Sequence, residues 1–463
     1  MHLIPQSWSH LHILVSLFPS IGLIFVLGFY AAAMVTKNEG LQRVCLVAFG
    51  ILALLGIPIY WSGSGSTEAL AGNPRVSQDM LDLHNGWGVA ALVASAFTGI
   101  AAWIELGRAR RRPLSDNALH LVLGLAVVTL LLMIIMGAFG WSINHPELQL
   151  PTSKKNTSQL WSHVHIILNH FPSVGLVLAL GFYLVALIKN NTIMKRASLV
   201  AFVICAILGI PTFVTGNAAM WALGDARVPG ITRAAINAHR DWALYTLFGL
   251  AFTGVTAWIE LWRFRHLGRF SDLSLYLVLL FAFITLGILA EAGHRGGQIN
   301  HPEIRAEAMP TDANAYLSPA VESLISNVTW FVPWQTVHFF GYSLVFGTAL
   351  AICLRVLGFW KSLSFAAVHR ILPLGVFGVV INVFSGMLIL QSDSGRYLNN
   401  TTFAPKIAFL TIGAIAVLYF SLCERLWTVK AGEDAPMSAK WVAAVVLLSW
   451  AGVIMGGRLL PYL

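Results

Sequence analysis

Residues 8–19 read WSHLHILVSLFP, and residues 161–172 read WSHVHIILNHFP. Each stretch opens a long apolar run and sets a His-x-His pair at its mouth. The pair is His10 and His12 in the first and His163 and His165 in the second. An imidazole in apolar surroundings costs free energy unless it has a partner, so these histidines need a reason to be there.

The likeness continues far beyond the two stretches. Gly28-Phe29-Tyr30 matches Gly181-Phe182-Tyr183, and Gly56-Ile57-Pro58 matches Gly209-Ile210-Pro211. His84 matches His239, and Trp103-Ile104-Glu105-Leu106 matches Trp258-Ile259-Glu260-Leu261. Asn144-His145-Pro146-Glu147 matches Asn300-His301-Pro302-Glu303. Each copy reads as four helices in the same orientation, a parallel duplication.

The chain is 57% apolar and 11% charged, against about 25% charged in soluble domains. This composition predicts an all-α polytopic membrane protein lying in a lipid bilayer. A membrane helix needs about 20 mostly apolar residues. Twelve such runs are visible, near 11–35, 44–62, 84–106, 117–141, 164–188, 198–216, 239–262, 272–294, 334–357, 370–391, 405–424 and 440–457. The first run is too long for a cleavable signal peptide and has no basic segment before it. The net charge of +9 does not mark a nucleic-acid binder, because the basic residues sit in short loops between apolar runs.

Those loops set the expected topology. Lys37, Arg43, Arg108, Arg110, Arg111, Arg112, Lys189, Lys195, Arg196, Arg263, Arg265 and Arg269 follow odd-numbered spans. Loops after even-numbered spans carry more acid. The positive-inside rule then puts both termini outside, on the periplasmic face of a bacterial inner membrane. At the inner face, Glu105 with Arg108, Glu260 with Arg263, and Glu424 with Arg425 read as ion pairs. Trp103 and Trp258 read as part of an aromatic belt at the span ends. Four units are expected: four-helix modules at 1–150 and 151–302, a polar periplasmic linker at 303–329, and a third four-helix module at 330–463.

Neutral imidazole is a common ligand for haem iron and other metals, and helical bundles bind haem through ligands on facing helices. His12 with His84, and His165 with His239, lie near the outer mouths of first and third helices and are the expected axial pairs. His10 and His12 are about 200° apart around a helix and cannot both face one iron. The second copy adds His170 and His294, a further candidate pair for metal or cofactor. His10, His163, His145 and His301 are candidate cofactor contacts, with headgroups, loop contacts or quinone as rivals. His338 opens the third module, whose third helix begins at Lys406 where the others have histidine. Lys406 is read either as an iron ligand or propionate partner, or as an anchor that snorkels to the headgroups. His120, His266 and His369 are read as structural inner-side residues, His369 in a solvated loop. Cys45, Cys205, Cys353 and Cys423 have no Cys-x-x-Cys-His context, which excludes covalent c-type haem attachment.

The second module, through His165 to Pro172, His239 and Gly293 to Gly297, resembles an uncharacterised family of four-helix bacterial inner-membrane proteins. That family has a His-rich first helix ending His-Phe-Pro and a Gly-His-x-Gly-Gly motif. The first module lacks the His-Phe-Pro histidine and the glycine motif. The third module, through His338, Ser385-Gly386, Phe403 with Lys406, and Gly457-Arg458, resembles another uncharacterised group, related in pattern to copper-resistance D membrane proteins. These resemblances imply haem or metal redox work.

The expected function is a b-type cytochrome subunit with two to four haems. It would pass electrons between the quinone pool and periplasmic partners, either a cytochrome c or peripheral redox subunits of an oxidoreductase complex. The alternatives are a transporter for copper or another small solute, and a structural anchor of a larger complex. No Walker loop, dinucleotide fingerprint, catalytic triad or metalloprotease motif occurs, so no catalytic residue is assigned.

Overall fold

The computed structural model describes residues 8–35, 37–70, 77–144, 157–226, 233–300, 328–392, 397–398 and 400–460. Among them there is no β-strand, and twelve helices are long and apolar enough to cross a membrane. The chain is an all-α, multi-pass membrane protein. Such a chain must satisfy its backbone within each segment, because the bilayer core offers no water to do it.

The helices of the first repeat are α1 (Trp8–Val15), α2 (Leu17–Val35), α3 (Glu39–Leu70), α4 (Gln78–Arg108) and α5 (Asp116–Asn144). The second repeat has α6 (Thr157–Ile188), α7 (Thr192–Ala226), α8 (Arg233–Leu267) and α9 (Asp272–Asn300). The remainder has α10 (Val328–Leu357), α11 (Phe365–His369), α12 (Leu372–Ser392), α13 (Phe403–Leu422), α14 (Glu424–Trp427) and α15 (Met437–Leu459). The run expected at 11–35 is divided at Ser16, whose N–H still reaches the His12 carbonyl at 2.8 Å. Several helices outrun their apolar segments; α3 and α7 continue past Pro58 and Pro211.

The described chain falls into two compact units. Among the described residues, one comprises those within 8–144, 173–198 and 300, and the other those within 157–172, 199–299 and 328–460. In the first, α4 packs on α3 and α5, and α2 packs on α3 and α5. Its interior is Tyr30, Leu46, Phe49, Val122 and Ala126, and the Tyr30 hydroxyl donates to the Leu119 carbonyl at 3.1 Å. Large apolar side chains such as Phe97, 61% exposed, and Ile104, 66% exposed, face outward, as lipid contact requires.

In the second unit α7, α8, α12 and α13 share one core of Ile210, Phe213, Leu247, Met387, Leu390 and Phe403. Trp258, expected at a membrane surface, is 7% exposed and donates to the Ser421 hydroxyl at 3.1 Å. Arg265 donates to the carbonyls of Ser421 and Leu422 and pairs with Glu424 at 3.2 Å. The sequence suggests the neighbouring Arg425 as the partner of Glu424; the longer reach to α8 is available because α14 packs beside it.

Corresponding residues of the two repeats make the same contacts. Thr98 meets Thr129 at 2.9 Å, and Thr253 meets Thr285 at 3.1 Å. Glu105 and Glu260, 3% and 0% exposed, pair as expected with Arg108 and Arg263. Each carboxylate also accepts the N–H of the serine that opens the next helix, Ser115 or Ser271.

Candidate haem-binding sites

His12, on α1, lies against α3. Its Nδ1 is 3.2 Å from the Ile59 carbonyl and 3.1 Å from the Ser62 hydroxyl. Ser62 already gives its own hydrogen to Ile59 O at 2.8 Å. Both neighbours can therefore only accept, and Nδ1 must carry the proton. In a neutral imidazole that leaves Nε2 as a bare lone pair, the tautomer a metal takes.

The same construction recurs three more times. His165 Nδ1 donates to Thr212 O at 2.9 Å, His84 Nδ1 to Met136 O at 3.0 Å, and His239 Nδ1 to Ala292 O at 2.8 Å. In each case the accepting carbonyl lies four residues before a glycine on which the ring rests. A Cβ at Gly63 would come 3.0 Å from His12, and one at Gly216 2.7 Å from His165. At Gly140 it would come 2.7 Å from His84, and at Gly296 2.9 Å from His239. Any larger residue would push the imidazole away from its carbonyl.

Of these seats the sequence pointed only to Gly296, as a place where a flat macrocycle could approach the backbone; Gly63, Gly140 and Gly216 were missed, although Gly63 and Gly216 fall at equal distances after the two Gly-Ile-Pro motifs. Gly140 does for His84 what Gly296 does for His239.

The rings of His12 and His84 are 6.4 Å apart between centroids, with planes 80° apart. A metal bound to two imidazoles by bonds of about 2 Å each separates the ring centroids by roughly 6 Å. The two side chains therefore stand at the spacing that a shared iron needs, His12 held by α3 and His84 by α5. In the second repeat, His239 and His170 are both near neighbours of His165. The amide of Gln298 donates to His294 Nε2 at 3.1 Å, so that nitrogen is engaged within its own helix. His145 and His301 lie outside the described residues, as do the side chains of His10 and His163 and the linker at 303–327.

The second repeat is the more polar of the two at this level. Asn217, Asn237, Arg240, Glu291 and Gln298 are buried there. Arg240 pairs with Asp241 at 2.9 Å, and Glu291 with Arg295 at 2.8 Å. The position of Glu291 is Ile135 in the first repeat.

Away from these sites, His369 is 0% exposed, not solvated as expected. It packs with Phe365 and Trp427, and its ring is 6.0 Å from that of His266. The burial follows from α11 folding under α8, where Trp262 donates to the His369 carbonyl at 3.2 Å. The cysteines are all free, with Cys45, Cys205 and Cys353 buried.

Comparison of the chain with protein-family models, with curated proteins and with solved structures finds no match. The geometry of the histidines therefore carries the functional reading.

Proposed function

We propose that this chain is a membrane-embedded b-type cytochrome subunit. His12 with His84, and His165 with His239, would each hold one haem between first and third helices of a repeat. The observation that carries the reading is the His12–His84 pair: two imidazoles, both with Nδ1 tied down as a donor, at 6.4 Å between centroids. Bound haem supplies one-electron transfer, and the protein supplies ligands, orientation and an apolar surround.

The residues of the chain do three things in this reading. The carbonyls of Ile59, Met136, Thr212 and Ala292 fix the tautomer and raise ligand basicity. The glycines let the rings approach the helix backbones. In the second repeat, Glu291 and Asp241 offer carboxylates for the protons that accompany quinone chemistry. Periplasmic cytochrome c or peripheral redox subunits would complete the electron path, in a bacterial inner membrane with both termini outside.

A dithionite-minus-air difference spectrum of the purified chain tests the reading. A b-type α band, reduced in His12→Ala and in His165→Ala, is the expected result. A chain free of iron and carrying copper would favour the transporter, and a chain with neither would favour the structural anchor.

A further inference from the structure

The third block repeats the histidine seat but not the histidine pair. His338, on α10, rests on Gly386 of α12, where a Cβ would come 2.9 Å from the ring. Its Nδ1 is 3.1 Å from the Ser385 hydroxyl, which gives its own hydrogen to Ile381 O at 2.6 Å. Ser385 can then only accept, so His338 too presents Nε2 as a bare lone pair.

Across from it, α13 carries Lys406 and packs on α15. A Cβ at Gly456 would come 2.9 Å from Lys406 Cβ, and one at Gly457 would come 3.7 Å from its Nζ. The root of the Lys406 side chain thus packs closely on Gly456 of the last helix, and its nitrogen lies beside Gly457. The two residues share a level of the bundle. Met387 and Leu390, just after Gly386, pack with Phe403, Ile407 and Leu410 on either side of Lys406. Lys406 is also a near neighbour of His338. Among the described residues no hydrogen-bond acceptor or carboxylate partners the Lys406 nitrogen. An unpaired ammonium within a membrane-spanning helix is costly, so this nitrogen calls for a partner.

We propose that His338 and Lys406 hold a haem of their own, ligated by imidazole on one face and amine on the other. The inference rests on the cytochrome reading above and adds a chemically distinct third site to it. Only a neutral amine has a lone pair to give, so binding requires the Lys406 ammonium to release its proton to solvent. The rival arrangement, an ammonium paired with a haem carboxylate, would suit a residue at the rim of the site. Lys406 instead occupies the place that a ligand occupies in the other two blocks.

Electron paramagnetic resonance and near-infrared magnetic circular dichroism of the oxidised full chain in detergent test the inference, alongside haem content per polypeptide. The wild type should show a histidine–amine low-spin ferric component beside the bis-imidazole ones. His338→Ala should lose one haem equivalent. Lys406→His should keep the haem content and convert the amine component to a bis-imidazole one. Lys406→Ala should turn it high-spin. Should Lys406→Ala fail to fold, Lys406→His and Lys406→Met carry the test. Low-spin components unchanged in Lys406→Met or Lys406→Ala would overturn the inference, as would the absence of any component that depends on His338. Bis-imidazole haem without that component defeats this inference alone, whereas an iron-free chain defeats the cytochrome reading itself.

Discussion

Gly137 and Gly140 lie on the same helix, and only Gly140 touches an imidazole. A Cβ at Gly140 would meet both Cε1 and Nδ1 of His84 at 2.7 Å, while one at Gly137 would meet nothing within 4 Å. Gly140→Ala should therefore lower the haem content of the first repeat several-fold without removing a ligand. Gly137→Ala should leave it unchanged. A pyridine haemochrome assay per polypeptide reads both, and equal haem in the two variants would refute the seat as a positioning device. The repeated histidines were legible in the sequence because they survive at matched places while the apolar filler around them has changed. Most of the seats were not, because helical glycines are common and only the fold shows which of them underlies a ring. For the same reason His369 was misread: its neighbour Arg370 suggests a loop, and the burial comes from the distant Trp262 and Trp427. At this scale Glu291→Gln should slow quinol oxidation in reconstituted membranes while leaving the haem spectrum intact. Unchanged turnover would remove Glu291 from the proton path.

Helix ends carry the next set of consequences. Glu260 is fully buried, accepts the Ser271 N–H at 2.5 Å and pairs with Arg263 at 3.0 Å. Glu260→Ala leaves a buried donor and a half-buried guanidinium without their acceptor, and should cost about 1–3 kcal/mol. Thermal unfolding in detergent would show it as a lowered midpoint, and an unchanged midpoint would contradict the clamp. In the chain segment before α15, Asp434 bridges Lys361 at 2.8 Å and Lys440 at 3.2 Å. Those two ammonium groups hold its carboxyl below the usual carboxylate range. A depressed folded-state value means that the contribution is fully present above the unfolded value of about 3.9 and fades as pH falls through the folded one. Hydrogen exchange at 430–436 should therefore be slower in the wild type than in Asp434→Asn at neutral pH, and the difference should fade as pH drops below about 4; equal exchange at neutral pH would contradict it. The Glu105–Arg108 and Glu260–Arg263 pairs could be read from spacing alone, since residues three apart share a helix face. The Arg265–Glu424 pair could not, because its partners are 159 residues apart in sequence.

For the whole molecule, the twelve spans were legible because apolar runs of membrane length seldom arise except in bilayer-crossing helices. The gathering of α7, α8, α12 and α13 around one core was not, because packing between lipid-exposed helices turns on shape rather than on hydrophobicity. The central claim is that separate spans present imidazoles to one iron, and the first repeat states it most sharply. Its two rings are 6.4 Å apart with planes 80° from parallel. Ferric haem between two near-perpendicular imidazoles gives a highly anisotropic low-spin signal, unlike the rhombic signal of parallel rings. Low-temperature electron paramagnetic resonance of the oxidised, purified chain is thus the most direct measurement. The account predicts that signal in the wild type and its loss in His84→Ala. An oxidised chain with no low-spin ferric signal, or one whose signal persists unchanged in His84→Ala, would contradict it.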